Sequence, residues 1–342
     1  MSLLNPFPYA FGLDIGDLSF KIICLKKKGK KIKLEAHGEK KIPVEFFSKG
    51  EIVKKTEVVK LIKEFTKELK ISTPYVVTVL PETKTFVKII DLPNNQKDVH
   101  ENIKKEIETH VPLKLEEVYF DWQMISQNKT KNKALVAMAP KNIVNLYLET
   151  LRLAGLRPIS LEVESIAIFR ALIKGGDSSN QPKLIIDLGA TRSSLIIVEE
   201  SVLQLTISLP FSGEKLTEKI AEELKIEREE AEKIKIVYQE KDESDLGKII
   251  NQSFSDLSQS VANHVRFYEE NSNKKIKEII LCGGGANLFG ITTFIEKELK
   301  IKTTKGNPWT NLSLKKPIEL KNEPSVYTTA IGLGLRGIQE NI

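Results

Sequence analysis

Short apolar, β-branched runs alternate along this chain with amphipathic helical stretches, and that alternation predicts a mixed α/β fold. Phe11–Ile15 and Ser19–Leu25 read as a hairpin about Gly16-Asp17, with Ile32–Lys40 as a third strand. Val59, Ile62, Phe65 and Leu69 recur at helical spacing within Thr56–Leu69. Tyr75–Leu80 and Thr85–Ile90 are the next apolar strands, and Asn95 or Asp98 can cap a helix carrying Val99, Ile103 and Ile107 that stops before Val111-Pro112. Val118–Ile125 and Ala134–Ala139 follow as strands, Ile143–Leu153 as a helix closed by Gly155, then Pro158–Val163 as a strand and Ile166–Ile173 as a helix.

The Gly/Ser/Asn/Pro-rich stretch Lys174–Lys183 breaks this rhythm and reads as a linker. Beyond it the opening pattern returns. "AFGLDIGDLSFKIICLKK", from Ala10, and "KLIIDLGATRSSLIIVEE", from Lys183, share an apolar strand, Asp-x-Gly, a few small or polar residues and a second apolar strand. One Asp-x-Gly turn is common, but two in the same frame, half a chain apart, point to duplicated α/β domains facing each other across a cleft. The plain alternative, two ordinary turns, explains neither the repeated acid nor its apolar flanks.

Such a repeat suits phosphate chemistry. Glycine lets backbone N–H groups approach phosphate oxygens, and Ser19, Thr191, Ser193 and Ser194 add hydroxyl donors. Asp14 and Asp187 repel phosphates unless a Mg2+ ion lies between, usually through water, and Lys21 offers a balancing charge. Lys21 read plainly is a solvated strand residue. A third element, "KEIILCGGGANLFGI", runs from strand Ile279–Cys282 through Gly283, Gly284 and Gly285 towards a helix expected from Leu288, a nucleotide-binding shape that is neither a P-loop nor a dinucleotide fingerprint.

Composition narrows the class. The chain has 342 residues, 41% hydrophobic and 29% charged, enough for two domains with real cores. Its net charge of +6 is a small difference between 52 bases and 46 acids interleaved along the expected helices, which argues against a nucleic-acid partner. Cys24 and Cys282 lie far apart in apolar runs and the four histidines lack ligand spacing, so neither a disulfide framework nor a Cys/His metal site is expected. No signal peptide and no membrane span are read from the sequence, and a cytoplasmic location is expected.

Two phosphate hairpins followed by a GGG loop resemble the actin-like ATPase superfamily. Closer stretches are "ETHVPLKLEEVYFDW", "LRLAGLRPISLEVESIAIFRAL", "LPFSGEKLTEKIAEEL", "REEAEKIKIVY", "GNPW" and "YTTAIGLGLRGI". Together they resemble the PilM family of type IV pilus assembly proteins, relatives of the division protein FtsA. That resemblance implies an actin-like fold with halves at 9–180 and 183–338, an FtsA-type subdomain at about 51–160 and a helical nucleotide-side subdomain at about 212–275. It implies ATP with Mg2+ as the ligand. Asp14, Gly16, Ser19 and Lys21 form the first phosphate loop, and Asp187, Gly189, Thr191 and Ser193 the second; Gly283 to Gly285 with Asn287 hold the adenosine, and Glu232 with Lys235 touches the nucleoside. Read alone, Glu232 and Lys235 are an ordinary surface ion pair.

For hydrolysis, Glu162 and Glu164 are the only candidates to orient water, so binding is better supported than turnover. The implied partner is the cytoplasmic N-terminal tail of PilN, a membrane-anchored protein, in a groove beside the inserted subdomain, with other inner-membrane pilus components and self-association also expected. The chain is thus expected at the inner membrane through its partners. Val87, Ile89 and Leu92 are candidates for that groove, though strand core is the better reading. The competing functions are a sugar-kinase-type enzyme, for which no sugar-site signature is seen; an FtsA-like cytoskeletal protein, disfavoured by the closing "GLGLRGIQENI"; and a type II secretion scaffold, disfavoured by the intact Asp14, Asp187 and GGG.

Overall fold

The computed structural model describes residues 9–29, 31–48, 50–92, 98–110, 114–127, 132–175, 181–239, 244–312, 320 and 323–338. The expected turn at Val111-Pro112, the Asn95 cap and the middle of the linker, 176–180, lie outside them. The chain divides into two compact units, residues 1–171 with 312–320 and 329–342, and residues 172–311 with 321–328.

The first unit opens with β1 (Phe11–Ile15), β2 (Ser19–Lys28) and β3 (Lys31–Lys41), followed by the short pair β4 (Phe47–Ser48) and β5 (Glu51–Ile52) and helix α1 (Lys55–Glu68). Then come β6 (Tyr75–Leu80), β7 (Phe86–Leu92), α2 (Val99–His110), β8 (Val118–Gln127), β9 (Asn132–Pro140), α3 (Lys141–Leu153), β10 (Arg157–Val163) and α4 (Glu164–Leu172). Its main sheet has the order β10-β6-β1-β2-β3, in which β1, β6 and β10 run parallel and β1-β2-β3 form a meander. Phe11, Leu13, Phe20 and Ile22 pack there against Ile62 and Phe65 of α1 and Tyr147 and Leu151 of α3. A separate three-stranded antiparallel sheet, β7-β9-β8, has its own small core around Ile103, Ile107, Val136 and Leu92.

The second unit holds β11 (Lys183–Leu188), β12 (Ser193–Glu199), β13 (Val202–Leu209), α5 (Gly213–Leu224), α6 (Arg228–Val237), α7 (Asp245–Ser272), β14 (Glu278–Cys282), α8 (Ile291–Leu299) and β15 (Lys302–Lys305). Its sheet order is β13-β12-β11-β14-β15, again a three-strand meander continued by two parallel strands. Each unit therefore carries the same sheet topology, so the sequence repeat is a repeat of structure.

The last helix, α9 (Thr328–Gly337), packs in the first unit by way of its glycines. A Cβ on Gly12 would meet Gly334 N at 2.5 Å, and one on Gly332 would meet Ala167 O at 1.9 Å, so β1 and α4 approach the α9 backbone more closely than any side chain allows. Among the described residues no helix is long and apolar enough to cross a membrane.

Candidate functional site

In the first hairpin Gly16 N–H donates to Ser19 O at 3.1 Å, closing the turn. Asp14 and Lys21 are register partners across β1 and β2. The Lys21 ammonium donates to Ser19 Oγ at 2.9 Å and lies 3.8 Å from Asp14 Oδ2 and 3.9 Å from Glu39 Oε1. Asp14 is only 6% exposed. Acid, hydroxyl and ammonium thus converge at one end of the hairpin, next to the turn.

The second hairpin repeats the geometry, with Asp187 opposite Ser194 where Asp14 stands opposite Lys21. A Cβ on Gly189 would lie 2.3 Å from Arg192 O, so only glycine fits the turn. Ser193 is fully buried, and its hydroxyl has no hydrogen-bond partner among the described residues. Thr191 is exposed. Helix α5 docks its N-terminus on this turn: Gly213 N–H donates to Gly189 O at 3.0 Å and Glu214 N–H to Ala190 O at 2.8 Å. The positive end of α5 therefore abuts the turn, a setting that favours anions.

The GGG turn packs against the same hairpin. Gly283 has φ +79°, and a Cβ there would sit 2.5 Å from Asp187 Oδ1 and 2.6 Å from Leu188 O. The neighbouring Cys282 thiol donates to Asp187 Oδ1 at 3.5 Å. The expected helix from Leu288 is corrected here: Gly284–Asn287 is one tight helical turn, and α8 begins only at Ile291, after Gly290 with φ +78°. Gly290 in its left-handed conformation turns the chain before the helix can start, and apolar spacing does not reveal it. Asn287 donates to Ser325 Oγ at 3.1 Å and accepts from Lys305 Nζ at 2.8 Å, which ties the turn to β15 and to the segment before α9.

Lys235 is buried while Glu232 is half-exposed, and the two share a hydrogen-bond network with Thr217. Lys235, 7% exposed, donates to Gly213 O at 3.0 Å and Thr217 Oγ1 at 2.7 Å, and its ammonium is 2.6 Å from Glu232 Oε2. Burial pushes the Glu232 carboxyl up, yet hydrogen bonds from Lys235 and Thr217 and the Lys235 charge outweigh it and hold the carboxyl below its ordinary value. Because Gly213 also bonds Gly189, the network reaches the second Asp-x-Gly turn through one residue.

A cavity of about 320 Å³ lies elsewhere in the first unit. Its wall comes from β8 and β9, including Tyr119, Trp122 and Ala137, and its floor from Ser160, Glu162, Arg170 and Arg336. Arg170 grips Glu162 through two hydrogen bonds of 2.7 and 2.9 Å, and Arg336 Nε is 3.3 Å from the same carboxylate. Glu164 begins α4. Of the three groove candidates, Leu92 is core, while Val87 and Ile89 are half-buried and outside the cavity lining. The lining residues on β8 went unassigned in the sequence, although Tyr119 to Trp122 fall within the quoted stretch ending in Trp122.

The family model described as type IV pilus assembly protein PilM matches residues 12–338. The chain belongs to the PilM family. A solved PilM-PilN type IV pilus biogenesis complex is similar to this PilM-family chain at 25% identity and a TM-score of 0.85, covering 98% of this chain and 100% of the other. EutJ, an ethanolamine utilization protein from Carboxydothermus hydrogenoformans, matches at 16% identity and a TM-score of 0.57 over 96% of this chain and 90% of that one. MreB5 of Spiroplasma citri bound to ADP matches at 12% and 0.57 over 95% and 94%. These last two share the actin-like fold with this PilM-family chain.

Proposed function

We propose that this PilM-family chain is an ATP-binding assembly protein that docks the N-terminal tail of a PilN-like membrane protein, with nucleotide state setting the strength of docking. The observation that carries the nucleotide half is the repeated hairpin, with Asp14 opposite Lys21 and Asp187 opposite Ser194 in sheets of one topology. The residues suit Mg-ATP on their own geometry. The Ser193 hydroxyl is buried without a partner among the described residues, and Gly189 and Gly283 keep Cβ atoms out of the approach to Asp187. The hairpins supply the phosphate contacts, the Gly283–Gly285 turn with Asn287 the nucleoside contact, and the Lys235 network braces the second turn.

Among the described residues no cluster of three or more His, Cys, Asp or Glu could hold a metal. Mg2+ would come with the phosphates and their water, and Asp14 in the first unit and Asp187 in the second are each candidates for an outer carboxylate. When bound, Mg2+ neutralises phosphate charge beside those acids. This reading stops at binding: of the two candidates to orient water, Glu162 has its carboxylate taken up by two guanidiniums and Glu164 opens α4.

The docking half is supported by the cavity beside β8 and β9 and by the likeness to the PilM-PilN complex. An apolar wall with a few convergent polar groups suits a short peptide. Fluorescence anisotropy of a labelled peptide, the N-terminal tail of the PilN-like protein from the same organism, tests it. Native protein binds, and Ala137→Trp, which fills the cavity, weakens binding at least tenfold while Mg-ATP binding persists. Equal peptide binding by the filled variant would contradict docking at this cavity.

A further inference from the structure

The ribbon formed by β2 and β3 carries a charge pattern that neither nucleotide binding nor peptide docking uses. β1 pairs with β2 only as far as Ile23. Beyond that point β2 and β3 run on as a two-stranded ribbon, with a register irregularity at Cys24/Leu25 and Gly29 in the turn at φ +62°. Between positions 24 and 36 the sequence has six lysines, one glutamate and no arginine.

The register puts like charges opposite one another. Lys26 faces Lys33 across the ladder. Such a pair destabilises a hairpin, so the fold gains nothing from it. Lys26, Lys27 and Lys33 are exposed. Glu35 lies 3.5 Å from Lys26, which also sits 5.1 Å from the centre of the Tyr9 ring, so Lys26 is partly balanced.

We propose that this ribbon is an electrostatic contact for an anionic lipid surface. Lysine suits that partner because it is a hydrated point charge on a flexible stem and needs no matched geometry; arginine forks, which read phosphate bidentately, are absent from the ribbon. A specific protein partner calls for an apolar or aromatic anchor. None of the large exposed hydrophobic residues among those described lies on the ribbon, where Ile32 is half-buried. The contact is peripheral and screened by salt.

The test is co-sedimentation of the full chain with phosphatidylcholine vesicles and with vesicles that also contain phosphatidylglycerol, at low and high salt. Native protein partitions onto the anionic vesicles at low salt and leaves them at high salt. Each lysine near such a surface is worth roughly fivefold, so Lys26→Gln/Lys27→Gln/Lys33→Gln lowers partitioning on the order of a hundredfold. A second triple, Lys60→Gln/Lys63→Gln/Lys67→Gln on α1, makes the same change in net charge and stays within about twofold of native. Thermal melts confirm that both triples are folded. Equal losses in the two triples would make the effect one of net charge and overturn the assignment. So would a native chain that does not distinguish the vesicles, or one that binds poly-L-glutamate and leaves the vesicles alone, the mark of an acidic protein partner.

Discussion

Glu162 is the residue on which the cavity floor turns. Its side chain is 9% exposed and held by Arg170 and Arg336. Removing one partner of a buried pair leaves the other charge uncompensated, so Glu162→Ala should cost roughly 3 kcal/mol, read as a lower urea midpoint at unchanged slope. Nothing in the sequence announced this arrangement: Arg170 is two turns down α4, and Arg336 arrives from the far end of the chain. Asp14 and Asp187 were legible because their frame repeats, whereas a pairing made by tertiary packing leaves no local pattern. Glu232 gives a second expectation at this scale. Its carboxyl is held below its ordinary value, so it stabilises the fold at neutral pH, and that contribution fades as pH falls through the lowered value. Glu232→Gln should therefore lose less stability than native between about pH 6 and about pH 3 in paired urea titrations. Cys24 is the third. Burial, with Glu35 adding to it, pushes its thiol up to about 11 against a smaller opposing effect of Lys26, so it should resist alkylation in the folded chain and react once denaturant opens the sheet.

At the scale of elements, β1 and α9 depend on one another. Gly332 admits the Ala167 carbonyl where a methyl group would lie 1.9 Å from it, and Gly12 admits the α9 backbone. Gly332→Ala should destabilise the first unit by about 1–3 kcal/mol through overpacking, and by more if α9 is displaced, as measured by thermal unfolding. A Gly337→Ala variant meets Ala10 O at 2.2 Å and should behave alike. The strands and most helices were legible from periodicity, because apolar positions fall at the spacing each element requires. The start of α8 was not, since Leu288 and Phe289 continue the apolar run while Gly290 turns it. The cavity wall was not either. Phe120 and Trp122 of β8 line the cavity and also pack against the small core of the β7-β9-β8 sheet, so alternation alone cannot say which wall encloses a space.

At the scale of the molecule, two units of the same sheet topology carry two hairpins of the same register, and the PilM family model spans nearly the whole chain. The topology was foreshadowed by the repeated Asp-x-Gly frame. The return of α9 to the first unit was not, because its glycines act through partners distant in sequence. The central claim is that the Asp-x-Gly hairpin repeated in each unit is a phosphate-binding turn for ATP. It is tested most directly by calorimetric titration of nucleotide-free protein with Mg-ATP, beside folded Asp14→Ala and Asp187→Ala variants. The account predicts saturable binding by the native chain, and a loss of roughly tenfold or more in each single variant, since each change removes a carboxylate that would hold hydrated Mg2+ beside the phosphates. Folded native protein that takes up no nucleotide, or two variants that bind Mg-ATP as tightly as native, would contradict it.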